Sequence, residues 1–163
     1  MDWERLTDRR AIVQACRDVM HVAEAVIATT LDEEGAPCTR AMFNLRRAGQ
    51  FPGLTHLFAI HDQDLLVYLS TNTSSEKVRH IQRDDRVSLY YCVPHTFHGV
   101  MLAGRVTMQT DARLKADLWQ PGWEIYFPAG VADPDYTVLS LRPRRVRGWL
   151  GHQSFDACLD VAS

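Results

Sequence analysis

Residues 65–81 read LLVYLSTNTSSEKVRHI and contain three successive patterns. The apolar segment from Leu65 to Ser70 predicts a β-strand. The short hydroxyl and amide side chains that follow it are typical of a loop leading into the N-terminus of a helix. Val78 and Ile81, three residues apart, predict the buried face of that helix, and Asp84-Asp85 predicts its end. The stretch therefore predicts a strand, a polar loop and a helix start in succession.

Such a strand–loop–helix segment can bind an anion, because a helix N-terminus presents unpaired N–H groups and a partial positive charge. The hydroxyls of Thr71 and Ser75 can donate to phosphate oxygens, and Lys77 adds a full positive charge. Arg40, on a preceding predicted strand, can pair with the same phosphate through two N–H groups. The pattern is more common at helices that bind nothing, where the serine is only a cap and the lysine is solvated. The local residues alone leave both interpretations open.

Segments of strand character flank this stretch on both sides. An amphipathic helix is predicted after Leu6-Thr7-Asp8, with Ile12, Cys16, Val19, Met20 and Ala23 on its buried face, and a short helix is predicted after Thr110, ending before Pro121. The other predicted strands are residues 25–31, 37–45, 56–60, 86–93, 100–109, 137–141 and 145–150. Because most of them are joined by short turns, an antiparallel meander that closes towards a barrel is favoured.

Composition limits the classes of function. A chain of 163 residues with a net charge of −2 and interspersed charges argues for one domain, residues 1–163, and against nucleic-acid binding. No apolar run approaches the roughly 20 residues that span a bilayer, and the N-terminus lacks the apolar core of a signal peptide. Four widely spaced cysteines predict free thiols and a cytoplasmic location. His95 and His98 are not expected to share a face, so no metal site is predicted.

Several segments carry a family resemblance. They are Thr39-Arg40-Ala41-Met42, Leu66 to Thr71, Ser75-Glu76-Lys77-Val78 and Asp85 to Leu89. In this order and spacing they resemble the pyridoxamine 5′-phosphate oxidase-like superfamily of FMN-binding split barrels. The later segment from Leu118 to Gly130, with Trp119, Pro121 and Trp123, then Asp133 to Tyr136 and the closing Trp149, is similar to the general stress protein branch of bacteria.

The resemblance implies a mainly β (α+β) fold: a six- to seven-stranded antiparallel split β-barrel with an N-terminal helix and peripheral helices. It also implies a homodimer with FMN in the grooves between the protomers. Arg40, Ser75 and Lys77 are then expected to hold the FMN phosphate, and Ser70 and Thr71 to meet the ribityl chain or ring. Further cofactor contacts are expected from the backbone of Ala41 and Met42, from Trp123, and from Trp149 of the second copy.

Three departures from the oxidases bear on function. Glu76 stands where the oxidases carry a second phosphate-binding arginine, and Leu45 stands where they carry a lysine, although Arg46 is adjacent. The arginine-x-histidine segment that binds their substrate does not follow Trp149, so oxidation of pyridoxamine phosphate is not expected.

The resemblance implies an FMN-binding oxidoreductase that transfers electrons or hydride to a small unknown substrate, with no catalytic side chain identified. One alternative is a non-catalytic flavin- or haem-binding stress or redox protein, with His95, His98 or His152 as candidate haem ligands. Another is an interaction scaffold whose pocket has lost its ligand, an interpretation that Glu76 keeps open.

Overall fold

The computed structural model describes residues 4–159, so residues 1–3 and 160–163 of the predicted domain lie outside it. The described residues contain eight strands and four α-helices. The strands are β1 (Glu4–Arg5), β2 (Ala25–Leu31), β3 (Pro37–Phe43), β4 (Val67–Asn72), β5 (Arg86–Val93), β6 (His98–Gln109), β7 (Tyr136–Leu150) and β8 (Gln153–Cys158). The helices are α1 (Arg9–Val22), α2 (Thr55–Ala59), α3 (Glu76–Arg83) and α4 (Ala112–Leu118).

The sheet is open, and its two ends define a seam. Its strand order is β1-β8-β7-β6-β5-β2-β3, with β4 pairing separately with the first half of β7. All pairs are antiparallel except β1–β8. β3 and β4 lie near each other without forming a ladder. This open seam is the split of a split barrel, and most of the predicted cofactor-binding residues lie along it.

The main core lies between α1 and the inner face of the sheet. Asp8 caps α1 by accepting from the N–H of Ala11, and the predicted face from Ile12 to Ala23 is buried. The strands supply alternate residues to this core, as in β2, where Val26, Ala28 and Thr30 are buried and their neighbours are partly exposed. A second core of mostly aromatic residues contains Trp123, Phe127 and Tyr136. None of the helices in residues 4–159 is long and apolar enough to cross a membrane.

The predicted mainly β split barrel with an N-terminal helix is confirmed, and the elements differ in detail. The sheet has eight strands with one parallel pair, where six or seven antiparallel strands were expected. β3 ends at Phe43, two residues earlier than predicted, and β4 is shifted by two residues to Val67–Asn72. α4 is capped by Asp111, whose carboxylate accepts from two backbone N–H groups, and not by Thr110.

The strand predicted at residues 56–60 is wrong. This segment belongs to α2, which follows a 3-10 turn that begins at Pro52. Phe58 is buried while Ile60 is 80% exposed, so the short apolar run does not alternate as a half-buried strand would. A run of five residues does not carry enough periodicity to separate the two structures.

The two strands predicted at 137–141 and 145–150 form one continuous strand, β7. Pro143 lies between the two predicted strands, and in the structure it pairs with Gly104 at a bulge between Ala103 and Gly104. A bulge tolerates a proline because the ladder is already irregular there.

Candidate functional site

A cleft of about 630 Å³ lies in the seam between β3 and β4. This volume is within the range of about 300–1,000 Å³ that is common for small-molecule sites. Its lining comes from β3, β4, the start of α3 and the turn after α4. Seven of the nine predicted cofactor-binding residues line it: Arg40, Ala41, Met42, Ser70, Thr71, Lys77 and Trp123.

One end of the cleft carries two positive charges that have no counter-charge. Arg40 Nη1 donates to Thr30 Oγ1 at 2.7 Å, and Lys77 Nζ donates to Thr71 Oγ1 at 2.9 Å. Within residues 4–159 neither cation forms an ion pair with a carboxylate. Burial, and then the charge of Arg40, lower the pKa of Lys77 below the ordinary lysine value of 10.5. Two neighbouring cations whose closest hydrogen-bond partners are hydroxyls are an arrangement that suits an anion.

Ser75 lies at the N-cap of α3 and adds an unpaired group next to these cations in sequence. Its backbone has the extended conformation of a cap, but its hydroxyl does not bond to the helix. Ser75 Oγ is buried and has no hydrogen-bond partner among the described residues, and the residue does not line the cleft surface. A buried hydroxyl without a partner costs about 1–3 kcal/mol, so it needs an explanation. A ligand oxygen at the helix N-terminus would provide the missing partner.

The loop that leads into α3 is held by Asp135. Its carboxylate accepts from Asn72 Nδ2 at 2.8 Å and from the N–H of Ser74 at 2.7 Å. These two hydrogen bonds, from Asn72 and then from Ser74, lower the pKa of Asp135. The loop therefore keeps a fixed shape between β4 and the helix start.

The other end of the cleft is aromatic. The ring of Phe43 stacks on Trp123 with centroids 6.0 Å apart and planes 16° from parallel, and it meets Tyr126 edge to face at 6.2 Å. Trp123 is 5% exposed, whereas Phe43 and Tyr126 are 38% and 48% exposed. The wall therefore has a fixed base and accessible rings at its rim. An apolar end and a cationic end suit a ligand with a flat ring system and an anionic group.

Sequence reasoning missed several residues of the cleft. Arg47, Gln50 and Glu24 border it, from the turn after β3 and from the residue before β2. Each lies beside an element that was predicted, but which turn residues fold back towards the seam depends on tertiary packing. Phe43, whose exposed ring lies at the end of the edge strand β3, was the one local signal that pointed to the aromatic part of the cleft.

Neither of the departures at positions 76 and 45 lines the seam cleft. Glu76 is exposed and borders a different cleft, together with Arg79 and Arg83, so it does not line the site of Lys77. Leu45 is buried in the second core. The adjacent Arg46 is also buried, where it donates to the carbonyl of Leu66 at 2.9 Å and lies over the ring of Phe58. Arg46 therefore supports the core and does not replace a cleft lysine.

Trp149 and the candidate histidines lie elsewhere. Trp149 is 44% exposed on β7, opposite Gly99, and it does not line the cleft of its own chain. His95 and His98 lie in and after the turn between β5 and β6. In the part of the chain that the structure describes, no group of three histidine, cysteine, aspartate or glutamate side chains could hold a metal ion.

Together, the open eight-stranded sheet and the cleft in its seam, cationic at one end and aromatic at the other, define a split-barrel protein. Residues 12–150 match the family model for pyridoxamine 5′-phosphate oxidase, and the chain belongs to this family.

Solved structures support the same assignment. A protein from Clostridium acetobutylicum related to general stress protein 26 of B. subtilis is 27% identical, with a TM-score of 0.73 over 94% of this chain and 98% of that one. General stress protein 26 from Bacillus anthracis is 13% identical, with a TM-score of 0.65 over 87% of this chain and 95% of that one. These likenesses agree with the predicted general stress protein branch. No curated protein sequence matches the chain.

A haem-binding protein from Mycobacterium smegmatis shares the fold. It is 17% identical, with a TM-score of 0.64 over 94% of this chain and 59% of that one. At this identity the likeness concerns the fold alone.

Proposed function

We propose that the protein binds FMN in the seam cleft and acts as an FMN-dependent oxidoreductase on a small-molecule substrate. The observation that carries the proposal is the pair Arg40 and Lys77, two cations without a carboxylate partner within residues 4–159, together with the buried and unpaired hydroxyl of Ser75, two positions before Lys77. This end of the cleft suits a terminal phosphate, and the aromatic end suits a flat ring system.

Different residues of the cleft are proposed to bind different parts of FMN. Arg40 presents a planar guanidinium that can hold two phosphate oxygens, and Lys77 adds a second charge. The N–H groups of the first turn of α3 and the Ser75 hydroxyl complete the cradle. Ala41 and Met42 lie on the edge strand β3, whose outer backbone groups are free to meet the polar edge of a ring.

A second copy of the chain is proposed to complete the site. On the outer face of the sheet, Ala41, Ile27, Tyr90 and Met101 lie opposite one another across four strands and are partly or fully exposed. α1 packs on the inner side, and Ala41 also lines the cleft, so the cleft opens at the border of this apolar face. In this homodimer the exposed Trp149 of one protomer is proposed to contact FMN in the cleft of the other, as the family resemblance implies.

Bound FMN supplies the redox chemistry, which is the transfer of electrons or hydride between a donor and an acceptor. The chain's own residues orient the ring and exclude water around it. Arg47, Gln50 and Glu24 border the same cleft and are available to bind the substrate. The four cysteines are free thiols, which agrees with the proposed cytoplasmic location.

The visible spectrum and a thermal melt, each with and without FMN, test this proposal. At a free FMN concentration 100 times the dissociation constant, binding adds about 2.7 kcal/mol to stability and raises the melting temperature by about 5–10 °C. Steady oxidation of NADH or NADPH in the presence of FMN then tests the oxidoreductase activity. Absence of a flavin spectrum and of a melting shift at millimolar FMN contradicts the proposal.

A non-catalytic haem-binding protein is the alternative. The fold shared with the mycobacterial haem-binding protein favours it, while the lining of the seam cleft contains no histidine from the described part of this chain. A Soret band after haem addition, lost on substitution of His95, His98 or His152, would select this alternative over FMN.

A further inference from the structure

One cleft outside the seam is lined by arginines. It has a volume of about 440 Å³ and lies where β4, β7 and β6 run side by side. Arg105 lines it from β6, and Arg142 and Arg144 line it from β7. Of the described residues, no aspartate or glutamate lines this cleft, and it shares no lining residue with the seam cleft. This arginine cleft is therefore a separate and strongly basic cavity.

The register of the strands crowds the three arginines together. Arg105 lies directly opposite Arg142 in the β6–β7 ladder. Side chains in such positions have Cβ atoms about 4.5–5.5 Å apart, and like charges there destabilise a sheet. Arg144 is the extra residue of the bulge, because Ala103 pairs with Arg145 while Gly104 pairs with Pro143. Bulges are frequent next to active sites, where they re-aim a side chain, and this one adds a third cation to an unfavourable pair.

Nearby carboxylates neutralise only part of this charge. Asp64 accepts from Nε and Nη2 of Arg142, both at 3.0 Å, and Asp85 accepts from Nη1 of Arg105. The side chains of Arg142 and Arg105 are still 53% and 58% exposed, and each guanidinium has further N–H groups to donate. Within residues 4–159 Arg144 forms no ion pair with a carboxylate. An excess of positive charge therefore remains at the cleft.

Hydroxyl groups line the same cleft between the arginines and the second core. Ser140 is 9% exposed, and its Oγ accepts from Gln109 Nε2 at 2.6 Å. The hydroxyl proton of Ser140 has no acceptor among residues 4–159, so this buried group has a donor to spare. Tyr68 and Thr107 lie opposite Ser140 on the two neighbouring strands and also line the cleft. Hydroxyl donors beside guanidinium groups suit the oxygens of an anion.

We propose that the arginine cleft is a second binding site, for a small polyanion with two or three adjacent phosphate or carboxylate groups. Each guanidinium can hold two oxygens of such a group, and the Ser140 hydroxyl donates to a third. A single negative charge would leave the three arginines repelling one another, whereas a polyanion offsets all of them. The site is independent of the flavin site, so neither proposal needs the other.

The surroundings of the cleft favour a small molecule over a polymer. Its volume is within the range of about 300–1,000 Å³ that is common for small-molecule sites. Asp64 and Asp85 lie beside the arginines and would repel an extended polyanion that crosses the rim. The chain as a whole has a net charge of −2, which also disfavours a nucleic acid.

Calorimetric titrations of the full-length protein with inorganic pyrophosphate and with citrate test the proposal. The Arg40→Ala/Lys77→Ala variant serves as the background, because it lacks the cations of the seam cleft and keeps the arginine cleft. At least one of the two anions is expected to bind this background, and the tighter one assigns the site to phosphates or to carboxylates. Adding Arg144→Gln or Ser140→Ala is expected to weaken binding about tenfold, whereas Arg79→Gln, in the cleft that Glu76 borders, is expected to have no effect.

The melting temperature separates a binding role of Arg144 from a structural one. Without an anion and at low salt, Arg144→Gln is expected to melt at the same temperature as its background or higher, because it removes a like charge. A clear fall would make Arg144 a structural residue and contradict the proposal.

Three results of the titrations would overturn the inference. One is that neither anion binds beyond the effect of sodium chloride at equal ionic strength. Another is equal binding with and without Arg144→Gln. The third is binding by the wild type that disappears in Arg40→Ala/Lys77→Ala, because the anion then occupies the seam cleft; that result refutes the arginine site and leaves the flavin proposal standing.

Discussion

At Ser75, the hydroxyl group is expected to favour FMN binding but not the stability of the ligand-free protein. Its buried hydroxyl lacks a partner, so Ser75→Ala relieves an unmet polar group and removes no capping bond. We expect the melting temperature of the ligand-free variant to stay the same or to rise, by the equivalent of up to about 1 kcal/mol. FMN affinity is expected to fall about tenfold, because the phosphate loses a donor. Thermal melts with and without FMN measure both effects.

The exposed Ser74 of the same loop provides the matched control. Its backbone N–H donates to Asp135 at 2.7 Å, and Ser74→Ala keeps that hydrogen bond while removing a smaller side-chain contribution to the same carboxylate. The control is expected to resemble the wild type in both melts. A clear loss of stability in ligand-free Ser75→Ala would show that its hydroxyl already has a partner, and would contradict the assignment.

The lowered pKa of Lys77 leads to a prediction of how FMN affinity changes at alkaline pH. Burial and the charge of Arg40 lower its pKa below 10.5, because both disfavour the charged form. A bound phosphate favours the charged form and raises this pKa, so binding takes up a proton when the lysine is partly neutral. FMN affinity is therefore expected to fall as the pH rises through the lowered pKa of Lys77.

Lys77→Arg tests this prediction, since a guanidinium stays protonated across the whole range. FMN titrations at rising pH are expected to show a decline in the wild type and a flat profile in the variant. If the FMN affinity of the wild type does not change at alkaline pH, Lys77 does not bind the phosphate.

The candidate site residues that could be predicted from the sequence are those that belong to a recognisable helix or strand pattern. Ser75 and Lys77 belong to a helix start, and Arg40 and Met42 to a strand, so their placement follows from the elements. Arg47 and Gln50 lie in an irregular turn, and no local preference indicates that they border the cleft. On a helix adjacent residues point about 100° apart, so Glu76 and Lys77 reach different clefts. The effect of Glu76 on ligand binding stays a prediction.

At the scale of elements, prediction was good where one face of an element is buried. α1 and β2 have clear periods of 3.6 and 2, and the structure has them at the predicted residues. β8 was missed because, of its six residues, only Phe155 is fully buried, so it gives little alternation. β1 has two residues and pairs with β8 far along the chain, which no local pattern reveals.

The packing of β8 on β7 depends on Gly148. A Cβ atom at this position would lie 2.3 Å from Cζ of Phe155 and 3.1 Å from the carbonyl oxygen of Gly99. Gly148→Ala is therefore expected to displace the Phe155 ring and to lower the free energy of unfolding by about 1–3 kcal/mol. Gly49→Ala is the control, because nothing lies within 4 Å of its added Cβ and its backbone needs no positive φ. Chemical denaturation measures both, and equal stabilities would contradict the packing described for β8.

At the scale of the whole molecule, dimer formation and cofactor binding are expected to be linked. Met101 lies on the outer apolar face of the sheet and is not itself a lining residue of the cleft. Met101→Lys places a charge on the face proposed to pair with the second copy, which makes burial of that face costly. The variant is expected to be monomeric in light-scattering measurements and to bind FMN more weakly.

Thr107→Lys, at the other end of β6 and exposed, is the control and is expected to leave the dimer intact. A monomeric Met101→Lys with wild-type FMN affinity would mean that one protomer holds the complete site. If Met101→Lys stays dimeric, the dimer interface lies on another face of the protein.

The central claim is that the Arg40–Lys77 end of the seam cleft binds the phosphate of FMN. The most direct test compares the dissociation constants of FMN and riboflavin, which differ only by that phosphate. The wild type is expected to prefer FMN by about 100-fold or more, since each charged hydrogen bond contributes about 1.5–3 kcal/mol. The preference should largely vanish in Arg40→Ala/Lys77→Ala and persist in Arg79→Ala, whose side chain borders the other cleft. Equal affinities for the two flavins, or a preference that survives the double substitution, would contradict the account.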